Sequence, residues 1–271
     1  MVILNIVVII VLAGMMRMNK IIIDSNKLLT TKIDGISFKE NKLVFRKNGE
    51  YKLEILNSDN VSLAIEILDC VCIKLFVYSV FNELEEHITY KLGENSNLLL
   101  FRFDSNKSSD RDESIYLDGK GAKVSYNFSS ICQGSYNYNM KIYHNNCFVS
   151  SDVYNKCVGS DGSKIEFLID SILDKGNSGC RMNQDTKIMC MGDVSAEICP
   201  NMLINEDDVE ARHGSVIGRF SDEDLFYMMS RGIREDEAIK LMIKGIIFAD
   251  LVIDDEDRER ILKVIDDTYH F

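Results

Sequence analysis

A mainly β chain with a short helical segment at its C-terminal end is predicted by three observations. From Met18 to about Glu210, short runs alternate apolar and polar residues at period two. The separators between them are rich in Gly, Asn, Asp and Ser. After Gly218 the apolar spacing changes to three and four, the period of a helix. These changes divide the chain into an apolar tail over 1–17, a strand region over 18–218 and a helical segment over 219–271.

The strands read in order as follows. Lys52 to Leu56 alternates as a half-buried strand does, and Val61 to Ile67 repeats this with Leu63, Ile65 and Ile67 on one face. Further runs cover Asn97–Phe103, Ser114–Leu117, Lys123–Phe128, Met140–Tyr143 and Lys164–Ile169. Turns fall at Gly93-Glu94-Asn95-Ser96, Asp118-Gly119-Lys120-Gly121 and Gly159-Ser160-Asp161-Gly162. The run Asn106 to Glu113 is too polar to pack and predicts an exposed loop. No strict repeat appears, so periodicity leaves a sandwich, a barrel and a solenoid open. A sandwich spends prolines on turns, and one proline in 271 residues disfavours it.

Three helices follow. Ser221 with Asp224 predicts a capping box, and Leu225, Met228 and Met229 share one face. Gly232 is placed to end that helix in a left-handed cap. Arg234-Glu235-Asp236-Glu237 opens the second helix with acids near its positive end. Ala238, Leu241, Met242, Gly245 and Ala249 form one apolar stripe on it, and Ile239, Ile243, Ile246 and Ile247 form another. One side can cover the strands and the other can await a partner. A third helix, about Asp254 to Tyr269, has Ile261, Val264 and Ile265 at helical spacing.

The net charge of −12 argues against nucleic acid as a partner, because a phosphate backbone needs a basic footprint. Half of that charge sits between Glu210 and Phe271, where 15 acidic residues face 9 basic ones. Eight cysteines without a CxxC or a zinc-finger block suit mostly buried, reduced thiols of a cytoplasmic protein. Val2 to Met16 is apolar but shorter than the roughly 20 residues that span a bilayer, and it lacks a basic start and a cleavage signal. A start-site artefact or a packed tail is expected there rather than a membrane anchor. No GxSxG, Walker A, HExxH or strand-borne GxGxxG is present, so no catalysis is expected of this chain.

The informative stretch is Pro200 to Ile247. Pro200, Asp207, Asp208, Val209, His213 and Gly214 are followed by Asp224, Leu225, Phe226, Tyr227, Ser230, Arg231, Gly232 and Ile233. These residues fall without gaps on the pattern of the SufB/SufD family, the scaffold subunits of SUF-type iron–sulfur cluster assembly, which the stretch closely resembles. Upstream, Met189 to Asp193 is similar to the family's M-L-I-G-D.

The resemblance implies a right-handed parallel β-helix with a C-terminal α-helical segment, choosing the solenoid among the open architectures. It implies a minimal member, because the strands begin too early to leave room for the N-terminal helical domain of larger members. It implies a non-enzymatic scaffold that binds a SufC-type ABC ATPase and dimerises with a SufB-like paralogue or a second copy of itself. The ATPase dock would comprise Asp224, Leu225, Phe226, Tyr227, Arg231, Gly232, Ile239 and Ile243. No intrinsic cofactor is implied, only a transient iron–sulfur cluster. His213 falls on the family's histidine near the dimer interface, and Cys180, Cys190 and Cys199 are nearby candidates for thiolate ligands. Thr186 stands where SufB has its cysteine, Ala211 where SufD often has one, and Gly214 follows the SufD form, so the chain is more similar to SufD. The rival readings are a carbohydrate-binding or adhesive β-helix, which would need a secretion signal and a row of exposed aromatics, and a hydrolytic β-helix enzyme, which leaves the helical tail unexplained.

Overall fold

The computed structural model describes residues 18–24, 27–29, 33–56 and 60–269, so the apolar segment 1–17 lies outside the described residues. The described residues are 60% strand and wind a β-solenoid of about six turns. Two antiparallel pairs begin it: β1 (Asn19–Asp24) with β2 (Lys27–Leu28), and β3 (Ile36–Lys39) with β4 (Lys42–Phe45). Then come β5 (Gly49–Leu56), β6 (Asn60–Ile67) and three long strands, β7 (Cys72–Leu92), β8 (Asn97–Leu117) and β9 (Lys123–His144). The last turns are β10 (Ser150–Gly159), β11 (Lys164–Leu173), β12 (Cys180–Cys190), β13 (Ser195–Ile204) and β14 (Val209–Arg219).

Two parallel stacks face each other across a closed lumen. One runs β1, β5, the first halves of β7 to β9, then β10, β12 and β14. The other runs β4, β6, the second halves of β7 to β9, then β11 and β13. The long strands bend from one stack to the other, and the β8–β9 register shifts at Asn106/Ser108. The predicted turns form corners where successive turns of the solenoid touch. A Cβ on Gly119 would sit 2.0 Å from the Glu94 amide nitrogen, so no larger residue fits that corner.

Alternation along each strand sends every second side chain inward. Leu53, Leu75, Leu100, Ile115, Ile142 and Ile165 belong to the apolar core that this creates. One segment breaks the apolar rule. The polar run Asn106 to Glu113 is no exposed loop, because all of it belongs to β8, and Asn106, Ser109, Arg111 and Glu113 are buried. Their charges are satisfied by one another and by the turns above and below, which a polarity count does not detect.

The C-terminal helices are α1 (Asp222–Ser230), α2 (Glu235–Ile247) and α3 (Asp255–Thr268). Ile243, Ile247, Leu251, Ile261, Ile265 and Tyr269 pack on Phe76, Phe101, Phe103, Ile131 and Val158, forming a second core on the outer side of the first stack. Polar ties fix this layer. Lys52 pairs with Asp257, Lys156 with Asp250, and Arg260 with Glu54 at 2.6 Å. By contrast α1 has no buried residue. Its ends are set locally: the Asp224 amide donates to Ser221 Oγ at 3.2 Å, and Gly232 at φ +89° closes it. The Ile233 amide bonds Met228 O and the Gly232 amide bonds Met229 O, the paired pattern of a Schellman cap.

Ser221→Ala removes that N-cap, worth about 1 kcal/mol. Because α1 adds nothing to either core, the expected result is hydrogen exchange in α1 faster by about fivefold with global melting unchanged. A fall in global melting temperature would contradict this placement.

Candidate functional site at the open end and the C-terminal helices

The last turn of the solenoid ends in two strand edges. β14 pairs with β12 alone on one side, and β13 pairs with β11 alone, so each leaves a row of backbone groups without a strand neighbour among the described residues. Almost every residue of β14 is exposed, including Val216 and Ile217, and Leu203 is exposed on β13. By strand alternation, Ala211, His213, Ser215 and Ile217 occupy the inward positions of β14. On every earlier turn such positions are covered by the next turn; here nothing in the described chain covers them.

His213 therefore stands at the mouth of the lumen. It lies in register with Gln184 on β12, and Ser215 lies in register with Thr186. Both partners beneath are buried. Gln184 Nε2 donates to Ser171 Oγ at 2.7 Å, and Asn155 Nδ2 donates to Thr186 Oγ1 at 3.2 Å. The floor under His213 is thus polar and held by hydrogen bonds between turns.

The cysteines singled out with His213 do not converge on it. Cys180 is in register with Val209, four residues from His213, so about 13 Å away along the strand. Cys190 is in register with Arg219, six residues from His213 and about 20 Å away. Cys199 is in the other stack, where its thiol donates to Glu197 Oε1 at 3.3 Å. Among the described residues no group of three or more His, Cys, Asp or Glu is arranged to hold a metal. Burial pushes the Cys180 and Cys190 thiols up, and the bond to Glu197 pushes Cys199 up, so all three favour the inert protonated form. All eight cysteines are free; four are buried, whereas Cys70 and Cys72 are exposed. Among the described residues, His213 and these cysteines do not converge into one ligand set.

The helix residues divide. Asp224, Phe226, Tyr227, Arg231 and Gly232 are exposed, and Leu225 is half-buried. Phe226 is 74% exposed, and the Arg231 guanidinium lies 5.2 Å from the Tyr227 ring centroid. Ile243, expected on the docking face, is 0% exposed and packs in the second core, with Ile239 partly buried against it. The physical reason is that the isoleucine stripe is the one that joins the second core, together with Phe101 and Phe103. On the other stripe Leu241, Gly245 and Ala249 are exposed, and Ala238 is buried. Leu241 is 49% exposed and is the large apolar residue that α2 leaves uncovered. The described helices include none long and apolar enough to cross a membrane.

Comparison with known proteins agrees with this geometry. Residues 84–246 match the family described as SUF system FeS cluster assembly, SufBD core domain. An iron–sulfur cluster assembly SufBD family protein of Mycobacterium tuberculosis is 31% identical over 99 residues, 36% of this chain and 12% of that protein. The SufB protein of Bacillus subtilis is 33% identical over 100 residues, 36% of this chain and 21% of its own length. The SufD protein of the same organism is 34% identical over 76 residues, 28% of this chain and 17% of its own length. The matched stretch thus spans less than a quarter of each of these relatives. Since the family match covers more than half of the chain and coincides with the long strands, the open end and the first two helices, the chain belongs to the SufBD family of iron–sulfur cluster assembly proteins.

Proposed function

We propose that the chain is a non-catalytic scaffold subunit of a SUF-type assembly complex. It pairs through the β13–β14 end with a SufB-like subunit or a second copy of itself, and it carries a SufC-type ABC ATPase on α1. The observation that carries the reading is the uncovered last turn. A solenoid end with exposed inward positions and bare strand edges needs a cap or a partner to stay soluble. A second end of the same kind supplies both backbone pairing and apolar cover.

In this reading an iron–sulfur cluster is cargo, not a resident group. One chain offers the His213 imidazole at the mouth, and the thiolates that usually hold such clusters come from the facing subunit. Driving force comes from the ATPase, whose closure pulls on the helical layer and so on the first stack to which it is fastened. The setting is the cytoplasm.

The test is co-expression of the full chain with a SufC-type ATPase and a SufB-like subunit, followed by co-purification and determination of the mass of the complex. Ile217→Lys places a charge on the open edge and is expected to separate the scaffold pair while leaving the ATPase bound. Retention of the pair in that variant, or failure of the wild-type chain to pair with either partner, overturns the reading. His213→Ala is expected to lower the cluster yield after anaerobic reconstitution of the pair with iron and sulfide. An unchanged yield with intact pairing removes His213 from the site.

A further inference from the structure

The lumen beneath β9 holds a closed charge network that the assembly role does not use. Arg102, Asp104, Arg111 and Glu113 come from β8 and Glu86 from β7, and all five are buried. Asp104 Oδ1 accepts from Arg102 Nε at 2.8 Å, and its Oδ2 accepts from Arg111 Nη1 at 2.6 Å and from the Tyr136 hydroxyl at 2.8 Å. Glu113 Oε2 accepts from the Tyr126 and Tyr138 hydroxyls at 2.8 and 2.7 Å, and its Oε1 lies 2.7 Å from Arg111 Nη2. Glu86 Oε2 accepts from Arg111 Nε at 2.9 Å and lies 2.7 Å from Arg102 Nη2. Glu86 Oε1 is the one carboxyl oxygen of the three with neither a hydrogen bond nor an ion pair among the described residues.

Two guanidiniums thus face three carboxyl groups in a space without water access. With all three ionised the network carries a surplus negative charge, which a closed lumen does not tolerate unpaired. The other neighbours do not cancel it. Tyr90 on β7 and Tyr126, Tyr136 and Tyr138 on β9 are neutral phenols. From the turn below, Val61 on β6 stands in register with Glu86, and the inward residues Leu63 and Ile65 beside it are apolar. Of the charged residues of β5, Lys52 and Glu54 point outward to α3, and Glu50 is exposed and pairs with Lys74.

We propose that Glu86 holds a proton in the folded chain at neutral pH, making the lumen network electrically neutral and the packing of β7 on β8 sensitive to rising pH. The bare Oε1 is the atom that takes the proton, and Oε2 keeps its two arginine contacts as a carbonyl oxygen would. Burial raises the Glu86 carboxyl above the ordinary glutamate value, against the pull of Arg102 and Arg111 and with help from Asp104 and Glu113. A group raised in the folded state stabilises fully below its unfolded value, and that contribution is lost as pH rises through the folded value.

Glu86→Gln mimics the protonated carboxyl at every pH. The melting temperature of the variant is expected to match wild type at and below the ordinary glutamate value of about 4.3, and to exceed it by a margin that grows as pH rises above that value. Infrared spectra at neutral pH are expected to show a protonated-carboxyl carbonyl stretch in wild type that the variant lacks and that moves on isotopic labelling of glutamate. Glu113→Gln is expected to lose stability throughout, because an amide nitrogen would face the hydroxyl or guanidinium donors. A pH-independent difference between Glu86→Gln and wild type, no band lost from the spectrum, or a variant that fails to fold would each overturn the proposal.

Discussion

Arg111→Ala is expected to produce the largest loss of stability of any single substitution in this chain. The guanidinium contacts Glu86, Asp104 and Glu113 at 2.9, 2.6 and 2.7 Å and lies 4.9 and 4.7 Å from the ring centroids of Phe128 and Tyr138. Removing one partner of a buried ion pair costs about 3–5 kcal/mol, because the charge left behind cannot reach water. Here three carboxyl groups lose a partner at once, and a cavity opens beside two aromatic rings. For a chain of this length each kcal/mol is worth about 2–4 °C, so melting should fall by roughly 10 °C or more, or soluble folded protein should be lost. Arg111→Lys should recover little, since one ammonium cannot reach three carboxyl groups in a fixed fork. Thermal denaturation followed by circular dichroism measures both. A melting temperature within about 2 °C of wild type for Arg111→Ala would mean that the lumen admits water.

The same network has a second consequence for how the chain chooses its register. An apolar lumen accepts many alignments of one turn on the next. A lumen with Glu86 on β7, both arginines on β8 and the tyrosine hydroxyls on β9 accepts one, because a slip of one residue turns every inward side chain outward. The three long strands that carry it are also those that bend between stacks, where corner geometry alone specifies least.

This explains which parts of the structure could be read from sequence. Leu63, Ile65 and Ile67 on β6 alternate with the small or polar Ser62, Ala64 and Glu66, and that pattern is legible because the inward set is apolar. Ser221, Asp224 and Gly232 are legible because caps are chemistry local to four or five residues. Asp104, Asn106, Ser109, Arg111 and Glu113 are inward too, but the inward set is polar and compensated across turns. A window along one strand sees only the polarity. The available signal was the period-two alternation of opposite charges through Arg111 and Glu113, flanked by the apolar Ile115 and Leu117. His213 could be placed by its motif. The cysteines could not, since whether Cys180, Cys190 or Cys199 points into the lumen depends on strand parity and on which stack holds each strand. Ile243 was misassigned for a related reason: two apolar stripes on one helix do not say which of them meets the sheet.

That ambiguity on α2 gives the second large expected effect, and two charge insertions separate its parts. Phe226→Asp places a carboxylate on a side chain that is 74% exposed on a helix with no buried residue. The fold should be untouched, with melting unchanged. On the dock proposed above, binding of a SufC-type ATPase should fall by about 2 kcal/mol or more, roughly thirtyfold, as when an interface loses an aromatic anchor and buries a charge in its place. Ile243→Glu puts the same chemistry where the side chain is 0% exposed, between Phe101, Phe103 and the third helix. Its expected effect is on the fold: a buried unpaired carboxylate should detach α2 and α3 from the first stack and bare the outer apolar surface. Aggregation or a large fall in melting temperature should therefore accompany any loss of ATPase binding in that variant. Leu241→Glu, on the exposed stripe of the same helix, should behave like Phe226→Asp if the docking surface extends from α1 onto α2. Titration calorimetry with purified ATPase, alongside melting curves for all three variants, distinguishes the cases. Wild-type affinity in Phe226→Asp would remove α1 from the dock, and a stable, soluble Ile243→Glu would mean that the helical layer is not held by the second core.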